Sequence, residues 1–559
     1  MSADPDVVVI GSGPNGLVAA CRLAQAGQRV VVLEANATIG GGARTAETTL
    51  PGFRHDTCSA FHPFGLAGPI SELPLHEHGL RWCHSPRPYG GAIPGGKGVC
   101  QGRELEESVA SFDPGCPGDG AGWRELFGQW EWAGPAVLSL LFHPVLHPAP
   151  VFRAAPLAMS LQRLFQVGQL AIGSALALAE RHFRNEEARV WLNGSVLHAD
   201  LAPEDAGGGL FGIVLTGLSQ QIGMPIPRGG AQAISDALAG LLVSLGGRIL
   251  TEQRAEQIVV REQRVVAVRT RSEEISARRA VLATVEPQSL FLDLVGSGVL
   301  PSRFVKLVRR YRWGTGVFQA NLALSGRPQF EAQEIRDTLV VHLGRSVGEL
   351  SRGVSAARHG RLPQHPLLIA GTHTLIDPSR APEGRHTFWL MTHVPSKIVA
   401  DTADRITATT WDEAKEPYTE RVLDELEAHA PGFRSLVLAA HAQTPDDLYR
   451  GNSNLVRGDI GSGSYTLDQQ LVFRPLPGWF QYRTPIKGLY MSGAATHPGG
   501  GVHGAAGSNA AAVLLTDLQL ARVTSGARSL ARSIGSSVRS RFGRSPVPSG
   551  RVGERATPG

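Results

Sequence analysis

Three glycines and one acidic residue near the start of the chain have the clearest chemical meaning. They form the pattern Gly11-x-Gly13-x-x-Gly16, followed by Glu34. Gly11 permits a tight turn, Gly13 lets the backbone approach a pyrophosphate, and Gly16 allows a helix to pack closely on a strand. The Glu34 carboxylate can accept hydrogen bonds from ribose hydroxyls. The pattern predicts a dinucleotide site, for which NAD and FAD both remain open. The residues predicted to form it are Gly11, Ser12, Gly13, Pro14, Asn15, Gly16, Glu34 and Ala35.

A second glycine cluster, Gly40–Thr45, follows shortly after Glu34. Its glycines let the chain pass close to the phosphates or the ribityl chain of a flavin nucleotide, and Arg44 can supply positive charge there. A flexible surface loop is the alternative, and it is less plausible directly after a ribose-binding carboxylate. The residues predicted to bind the cofactor here are Gly41, Gly42, Ala43, Arg44 and Thr45.

A third glycine cluster runs from Gly493 to Asn509 and leads into a helix. Glycine-rich backbone at a helix start places N–H groups and a positive dipole where they can stabilise negative charge on a reduced flavin ring. A glycine-rich linker is the alternative, although linkers seldom begin on a buried strand and end on an apolar helix. The sequence therefore predicts FAD as the cofactor. The residues predicted to bind it here are Gly493, His497, Pro498, Gly499, Gly500, Gly501, Val502, Gly504 and Asn509.

Three histidines are candidates for a catalytic role. His62 follows the second glycine cluster, and His497 and His503 lie within the third. Imidazole titrates near neutrality, so each could act as a base or orient a substrate. For each, the alternative is a structural role. The sequence suggests no catalytic triad and no metal site.

The strands and helices predicted around these clusters come from three separate parts of the sequence. The first part is a strand–helix–strand unit formed by Val7–Ile10, Leu17–Ala26 and Arg29–Glu34. The second part contains a helix at Ala231–Leu245, a strand at Arg248–Thr251, a three-stranded meander and a strand at Ala280–Thr284. The third part is a strand at Gly488–Ser492 with the helix that follows. This arrangement predicts the α/β class, a Rossmann-type FAD-binding fold in three discontinuous segments, with an inserted α+β substrate domain. The predicted boundaries are 1–80, 226–290 and 486–524 for the FAD-binding parts, 81–225 and 291–485 for the inserted parts, and 525–559 for a disordered basic tail.

The net charge of +5 is concentrated at the C-terminus. Residues 525–559 hold seven Arg and one Glu, and the other 524 residues carry a net charge of −1. The body of the protein is not basic, so we expect no nucleic-acid partner. The tail is rich in Ser, Arg, Gly and Pro, which predicts disorder.

Five scattered cysteines without a C-x-x-C pair indicate a reducing compartment and argue against a redox-active dithiol. No secretory signal and no apolar run long enough to cross a membrane are found in the sequence. These features predict a cytoplasmic protein, or one of the mitochondrial matrix if the chain is eukaryotic.

The two ends of this pattern, Val7–Thr45 and Gly488–Asn509, resemble the phytoene desaturase superfamily of FAD enzymes, which is distantly similar to the flavin amine oxidases. Pro51–Asp56, Arg474-Pro475, Tyr482–Pro485 and His497–Val502 narrow the resemblance to the branch called pyridine nucleotide-disulphide oxidoreductase domain-containing protein 2. The resemblance is looser in the inserted lobe and does not extend to the tail. It implies FAD held between two lobes, an elongated apolar pocket over the flavin, and hydride transfer between a substrate carbon and flavin N5.

Further residues gain interest from this resemblance. Amine oxidases often have a lysine near flavin N5, which suggests Lys306, but this lysine lies in a basic amphipathic stretch that favours a solvated face. Trp479, Phe480 and Tyr482 either line the pocket or pack in the core.

Three functions remain open from the sequence. The first is a flavin dehydrogenase or oxidase acting on a small apolar or amphipathic molecule, with oxygen, a quinone or NAD(P) as electron acceptor. The second is an amine oxidase on the same scaffold. The third is a non-catalytic, flavin-bound interaction or regulatory protein whose basic tail docks to an acidic partner or makes peripheral contact with an anionic membrane.

Overall fold

Two valine-rich runs form the centre of a five-stranded parallel sheet. In the computed structural model, which describes residues 4–114, 116–542, 553 and 557, the strand order is Leu489–Met491, Ala280–Ala283, Val7–Ile10, Val30–Leu33 and Arg248–Leu250. Both central strands are fully buried, as expected of β-branched runs in a parallel sheet. The strands come from three separate parts of the chain, so the predicted Rossmann-type fold in three segments is confirmed.

Helices and a small meander flank this sheet. Pro14–Gln25 follows the first strand and packs against Gln232–Ser244, where Sγ of Cys21 donates to the Leu238 carbonyl at 3.3 Å. The predicted meander is confirmed as the antiparallel strands Ala255–Arg261, Arg264–Thr270 and Glu274–Ser276.

A second sheet, of seven strands, forms the centre of the inserted lobe. Its order is Val437–Gln443, Gly316–Leu324, His386–Val394, Leu368–Gly371, Val340–Leu343, Tyr89–Ile93 and Lys97–Gln101. Neighbouring strands are antiparallel, except that Val340–Leu343 runs parallel to Tyr89–Ile93. Because both inserted segments contribute strands to one sheet, they form one α+β domain, as predicted.

The remaining elements complete the two lobes. The other α-helices are Pro63–Ala67, Leu105–Phe112, Asp119–Phe142, Pro148–Ala158, Leu161–Ile172, Ala175–His182, Glu186–Val196, Gly208–Ile222, Ser302–Arg309, Val347–Arg358, Trp411–His429, Phe433–Leu436, Pro445–Gly451 and Ala505–Phe542. Short strand pairs join Thr45–Ala46 to His55–Asp56, Trp82–Cys83 to Ile226–Pro227, and Arg361–Leu362 to Ala400–Asp401. No helix in the described part of the chain has the length and apolar character needed to cross a membrane.

The chain divides into two compact units, residues 1–512 and 513–559. The predicted boundaries at 80, 225, 290 and 485 fall inside the first unit and stay predictions. The predicted disorder from residue 525 was wrong as far as Phe542, because the last helix continues to that residue. Residues 525–542 contain four Arg, two Ala and one Leu, which favour helix, and a helix already formed from Ala505 extends through the Ser and Gly between them at little cost in nucleation. Residues 543–552, 554–556, 558 and 559 lie outside the described residues.

Candidate active site

All three glycine clusters lie on the wall of one cleft of about 850 Å³. The predicted residues that line it are Gly11, Gly13, Pro14, Asn15, Gly16, Glu34, Ala35, Gly41, Gly42, Gly493, His497, Pro498, Gly500, Gly501 and Val502. The tertiary fold thus brings together backbone segments that are far apart in the sequence.

The first glycine turn is shaped to admit a ligand against its backbone. A Cβ atom on Gly11 or Gly16 would overlap protein atoms, so both glycines are required by packing. A Cβ atom on Gly13 would instead meet nothing closer than Gly41 Cα, at 3.9 Å. The helix Pro14–Gln25 has no side-chain cap among the described residues, which leaves its first N–H groups available to an anion. These features fit a pyrophosphate.

Glu34 is held in place by the residues beside this turn. Its Oε2 accepts hydrogen bonds from the Ser12 backbone N–H at 3.0 Å and from Ser12 Oγ at 2.6 Å, and its Oε1 accepts from the Asn36 N–H at 2.9 Å. A carboxylate has about four acceptor positions, so capacity remains for a ribose hydroxyl. Ser12, predicted to bind the cofactor, is fully buried behind Glu34 and orients it.

The second cluster meets the first through its glycines. Gly41 adopts φ of +57°, and a Cβ atom there would lie 3.0 Å from Gly13 Cα. Ala43, Arg44 and Thr45 do not line the cleft. Arg44 Nη2 donates to the Gly451 carbonyl at 3.2 Å, whereas Thr45 Oγ1 donates to Asp56 Oδ1 at 2.7 Å. The last three residues of this predicted group therefore support the loop from outside the cleft.

A buried arginine holds the third cluster. The Arg474 side chain is fully buried, and its Nη2 donates to the carbonyls of Gly461 at 2.9 Å, Ser462 at 3.2 Å and Ala494 at 2.9 Å. The guanidinium also lies 4.9 Å from the centre of the Tyr465 ring.

Two tyrosines complete this support. Tyr465 Oη accepts from the Gly500 N–H at 2.6 Å, and Tyr482 Oη donates to the His497 carbonyl at 3.0 Å. Asn509 Nδ2 donates to Tyr482 Oη at 3.0 Å, so this predicted cofactor residue lies behind the loop. Gly499 and Gly504 also lie off the cleft wall, packed against other residues of the fold.

His62 is not on the cleft wall, although its neighbours Phe61 and Pro63 are. Its Nε2 is 3.1 Å from Ser59 Oγ, and its Nδ1 is buried without a hydrogen-bond partner among the described residues. Burial lowers the pKa of His62 to about 4, against the opposing effect of the Asp56 charge. This position does not favour a role in proton transfer from the substrate.

His497 and His503 both line the cleft, but their ring nitrogens hold backbone groups. His497 Nε2 is 2.9 Å from the Leu140 carbonyl, which only accepts, so Nε2 carries the proton. His503 Nδ1 accepts from the Ala505 N–H at 2.9 Å, and its Nε2 faces the Gly500 carbonyl at 3.3 Å. Burial lowers the pKa of each imidazole to about 4. The geometry favours the structural alternative for both.

The other candidates from the sequence lie elsewhere. Lys306 is exposed, and no lysine of the described residues lines the cleft. Trp479 packs edge-on against Phe304, with ring centres 5.0 Å apart. Neither Trp479, Phe480 nor Tyr482 is on the cleft wall, which matches the core-packing alternative.

Sequence reasoning missed two parts of the cleft. One is most of the apolar half, which includes Val137, Leu140, Leu141, Leu210, Phe211, Val214, Leu215, Met224, Val340, Trp389 and Met391. Their apolar character predicts burial and cannot by itself distinguish a pocket from a core. The other is the loop at Tyr449–Leu455, where Asn454 Nδ2 donates to the Thr284 carbonyl at 2.9 Å. Its Gly-Asn-Ser-Asn run was the available signal for a turn.

Comparison with known proteins assigns the chain that forms this cleft to a family. Residues 9–91 match the family described as NAD(P)-binding Rossmann-like domain, and residues 152–515 match the family described as flavin containing amine oxidoreductase. The chain is 31% identical to pyridine nucleotide-disulfide oxidoreductase domain-containing protein 2 of Rattus norvegicus, over 92% of this chain and 94% of that protein. It is 24% identical to the phytoene desaturase (neurosporene-forming) of Cereibacter sphaeroides, over 91% of this chain and 94% of that protein. An oxidoreductase structure from Methanosarcina mazei shares the fold, with a TM-score of 0.59 and 18% identity over 91% of this chain and 99% of that chain.

The fold and the cleft define an FAD-dependent oxidoreductase that acts on a small molecule. The chain belongs to the flavin containing amine oxidoreductase family. It also belongs to the branch of pyridine nucleotide-disulfide oxidoreductase domain-containing protein 2 in the phytoene desaturase superfamily. The superfamily, the branch and the cofactor predicted from the sequence are confirmed.

Proposed function

We propose that this enzyme transfers a hydride between a small apolar or amphipathic substrate and the flavin, as a dehydrogenase or desaturase does. One observation carries the proposal: the glycine-lined half and the apolar half are parts of the same cleft. A substrate held by apolar side chains would therefore lie against the part of the cleft that accommodates the cofactor.

The residues proposed to hold FAD are the glycine turns and Glu34. The uncapped start of Pro14–Gln25, together with Gly13 and Gly41, would bind the pyrophosphate, and Glu34 would bind a ribose. The loop Gly493–Val502, held by Arg474, would lie along the isoalloxazine. When bound, FAD supplies the hydride chemistry through N5.

The protein's own contribution is position and exclusion of water. Apolar walls displace water from the substrate half, which strengthens electrostatic interactions inside it. His497 and His503 are neutral and occupied by backbone groups, so we propose that they keep the glycine loop in shape rather than transfer protons.

Anaerobic reduction tests this proposal. The purified protein is expected to be yellow, and addition of its substrate from a fractionated metabolite pool should bleach the visible flavin absorbance. Reoxidation of the bleached enzyme by oxygen, a quinone or NAD(P)⁺ then identifies the acceptor. A protein that binds no FAD, or whose flavin is reduced only by dithionite and by no apolar fraction, would contradict the proposal.

Amine oxidation is the second candidate, because the matched family is described by that activity. It predicts release of hydrogen peroxide from a panel of amines. Because Lys306 is exposed and off the cleft wall, a Lys306→Met variant should retain the full rate. The family assignment favours either enzyme over the non-catalytic alternative. The cytoplasmic location stays a prediction from the sequence.

A further inference from the structure

Two polar side chains, Ser195 and His198, lie among the apolar residues of the cleft wall. Ser195 is in the helix Glu186–Val196, and His198 is in the 3₁₀ turn that follows. Both belong to a hydrogen-bonded cluster with Tyr89 and His342, which are fully buried in the seven-stranded sheet. Tyr89 Oη is 2.7 Å from Ser195 Oγ, and His198 Nε2 is 3.1 Å from His342 Nε2.

The proton positions in this cluster follow from its one backbone acceptor. The Trp191 carbonyl is 3.0 Å from Ser195 Oγ and 3.2 Å from His342 Nδ1, and both must donate to it. With its proton on Nδ1, neutral His342 can only accept at Nε2, which is 3.1 Å from both Tyr89 Oη and His198 Nε2. Because the Ser195 proton is used on the Trp191 carbonyl, Tyr89 donates to Ser195 Oγ at 2.7 Å and leaves His342 Nε2 to His198. His198 therefore donates from its own Nε2, and its Nδ1 carries a lone pair.

That lone pair is unused within the described residues, although His198 is accessible in the cleft. The cleft walls around His198 desolvate its ring, and this effect, reinforced by the nearby His393, lowers the pKa of His198 to about 4, so the imidazole is neutral at physiological pH. His198 thus presents an oriented hydrogen-bond acceptor among the apolar residues of the cleft wall.

We propose that Nδ1 of His198 binds an uncharged O–H or N–H group on the substrate, whose remaining body is apolar. This inference rests on the proposed function, since it concerns the substrate of the same cleft. It excludes plain hydrocarbons as the best ligands, because they would leave this acceptor without a partner. The expected ligands are amphipathic alcohols, amides and similar molecules.

Binding of two isomeric probes tests this assignment. 1-Octanol has an O–H donor, whereas 1-methoxyheptane has the same atoms and no donor. Their dissociation constants are measured by perturbation of the flavin spectrum and, independently of the flavin, by the shift in melting temperature. The alcohol is expected to bind about fivefold more tightly or better, as one hydrogen bond provides.

A His198→Phe variant should lose this preference, and His198→Gln, which retains both a donor and an acceptor, should recover part of it. His359→Phe, at an exposed histidine away from the cleft, serves as the control. Equal binding of both probes by the wild type, or a preference that survives in His198→Phe, would overturn the assignment. Failure to bind FAD would instead refute the proposed function, while the melting shifts would still decide this inference.

Discussion

A Gly13→Ala variant is expected to fold normally and to bind FAD about a hundredfold more weakly, which corresponds to ~2.7 kcal/mol. Gly13 has φ of −66°, a conformation that alanine adopts freely, and a Cβ atom there would meet no protein atom closer than 3.9 Å. The fold therefore has no need of glycine at this position. The added methyl group would occupy the cleft side of the turn, where we propose that the pyrophosphate contacts the backbone.

Two measurements test this prediction. Retention of FAD during ultrafiltration reports the affinity for the cofactor, and the melting temperature of the apoprotein reports the stability of the fold. Gly128→Ala is the matched control, because no atom lies within 4 Å of a Cβ atom built there and the residue is inside a helix away from the cleft. Gly16→Ala should behave differently and destabilise the apoprotein, since its Cβ would overlap the Gly11 carbonyl. If Gly13→Ala retains FAD as the wild type does, the pyrophosphate does not lie at this turn.

An Arg380→Met variant is expected to lose about 3–5 kcal/mol of folding free energy at neutral pH. Arg380 Nη2 is 2.7 Å from Asp56 Oδ2, and both side chains are completely buried. Asp56 follows the second glycine cluster, whereas Arg380 belongs to the inserted lobe. The ion pair therefore links the segment after that glycine cluster to the inserted lobe. Removing the guanidinium would leave a buried carboxylate without its main counter-charge.

The pH dependence of this loss has a definite sign. Burial alone would raise the pKa of Asp56, but Arg380, His373 and two hydrogen-bond donors outweigh burial and lower it. The pair therefore stabilises the fold above the ordinary aspartate pKa, and this contribution is lost as the pH falls through the lowered value. The difference between wild type and Arg380→Met should thus be largest at neutral pH and shrink in acid.

Urea unfolding at several pH values measures this effect. Arg269→Met is the control, because Arg269 and Glu274 form an exposed pair at 2.9 Å whose removal should cost less than ~1 kcal/mol. A loss below ~1 kcal/mol for Arg380→Met at neutral pH, or a loss that grows in acid, would contradict the assigned role of the pair.

Much of the nucleotide half was predictable because its determinants are local. The run Val7–Ile10, the glycines at 11, 13 and 16, and Glu34 belong to one strand–helix–strand unit, and each residue type has a direct backbone or chemical meaning. The prediction failed to separate cleft-lining residues from supporting ones. Thr45 and Asn509 belong to the same sequence clusters as true lining residues, but their side chains bind Asp56 and Tyr482 behind the loops.

The cofactor and the three-segment Rossmann fold were predictable without coordinates, since glycine spacing and β-branched runs act through the local backbone. The superfamily followed from the resemblance of the motifs at both ends of the flavin site. Three features emerge only on folding: His62 is off the cleft, Arg474 holds the last glycine loop, and His198 has a ring nitrogen without a partner among the described residues. Side-chain direction in these places depends on partners from distant segments, and such packing leaves no periodic pattern in the sequence.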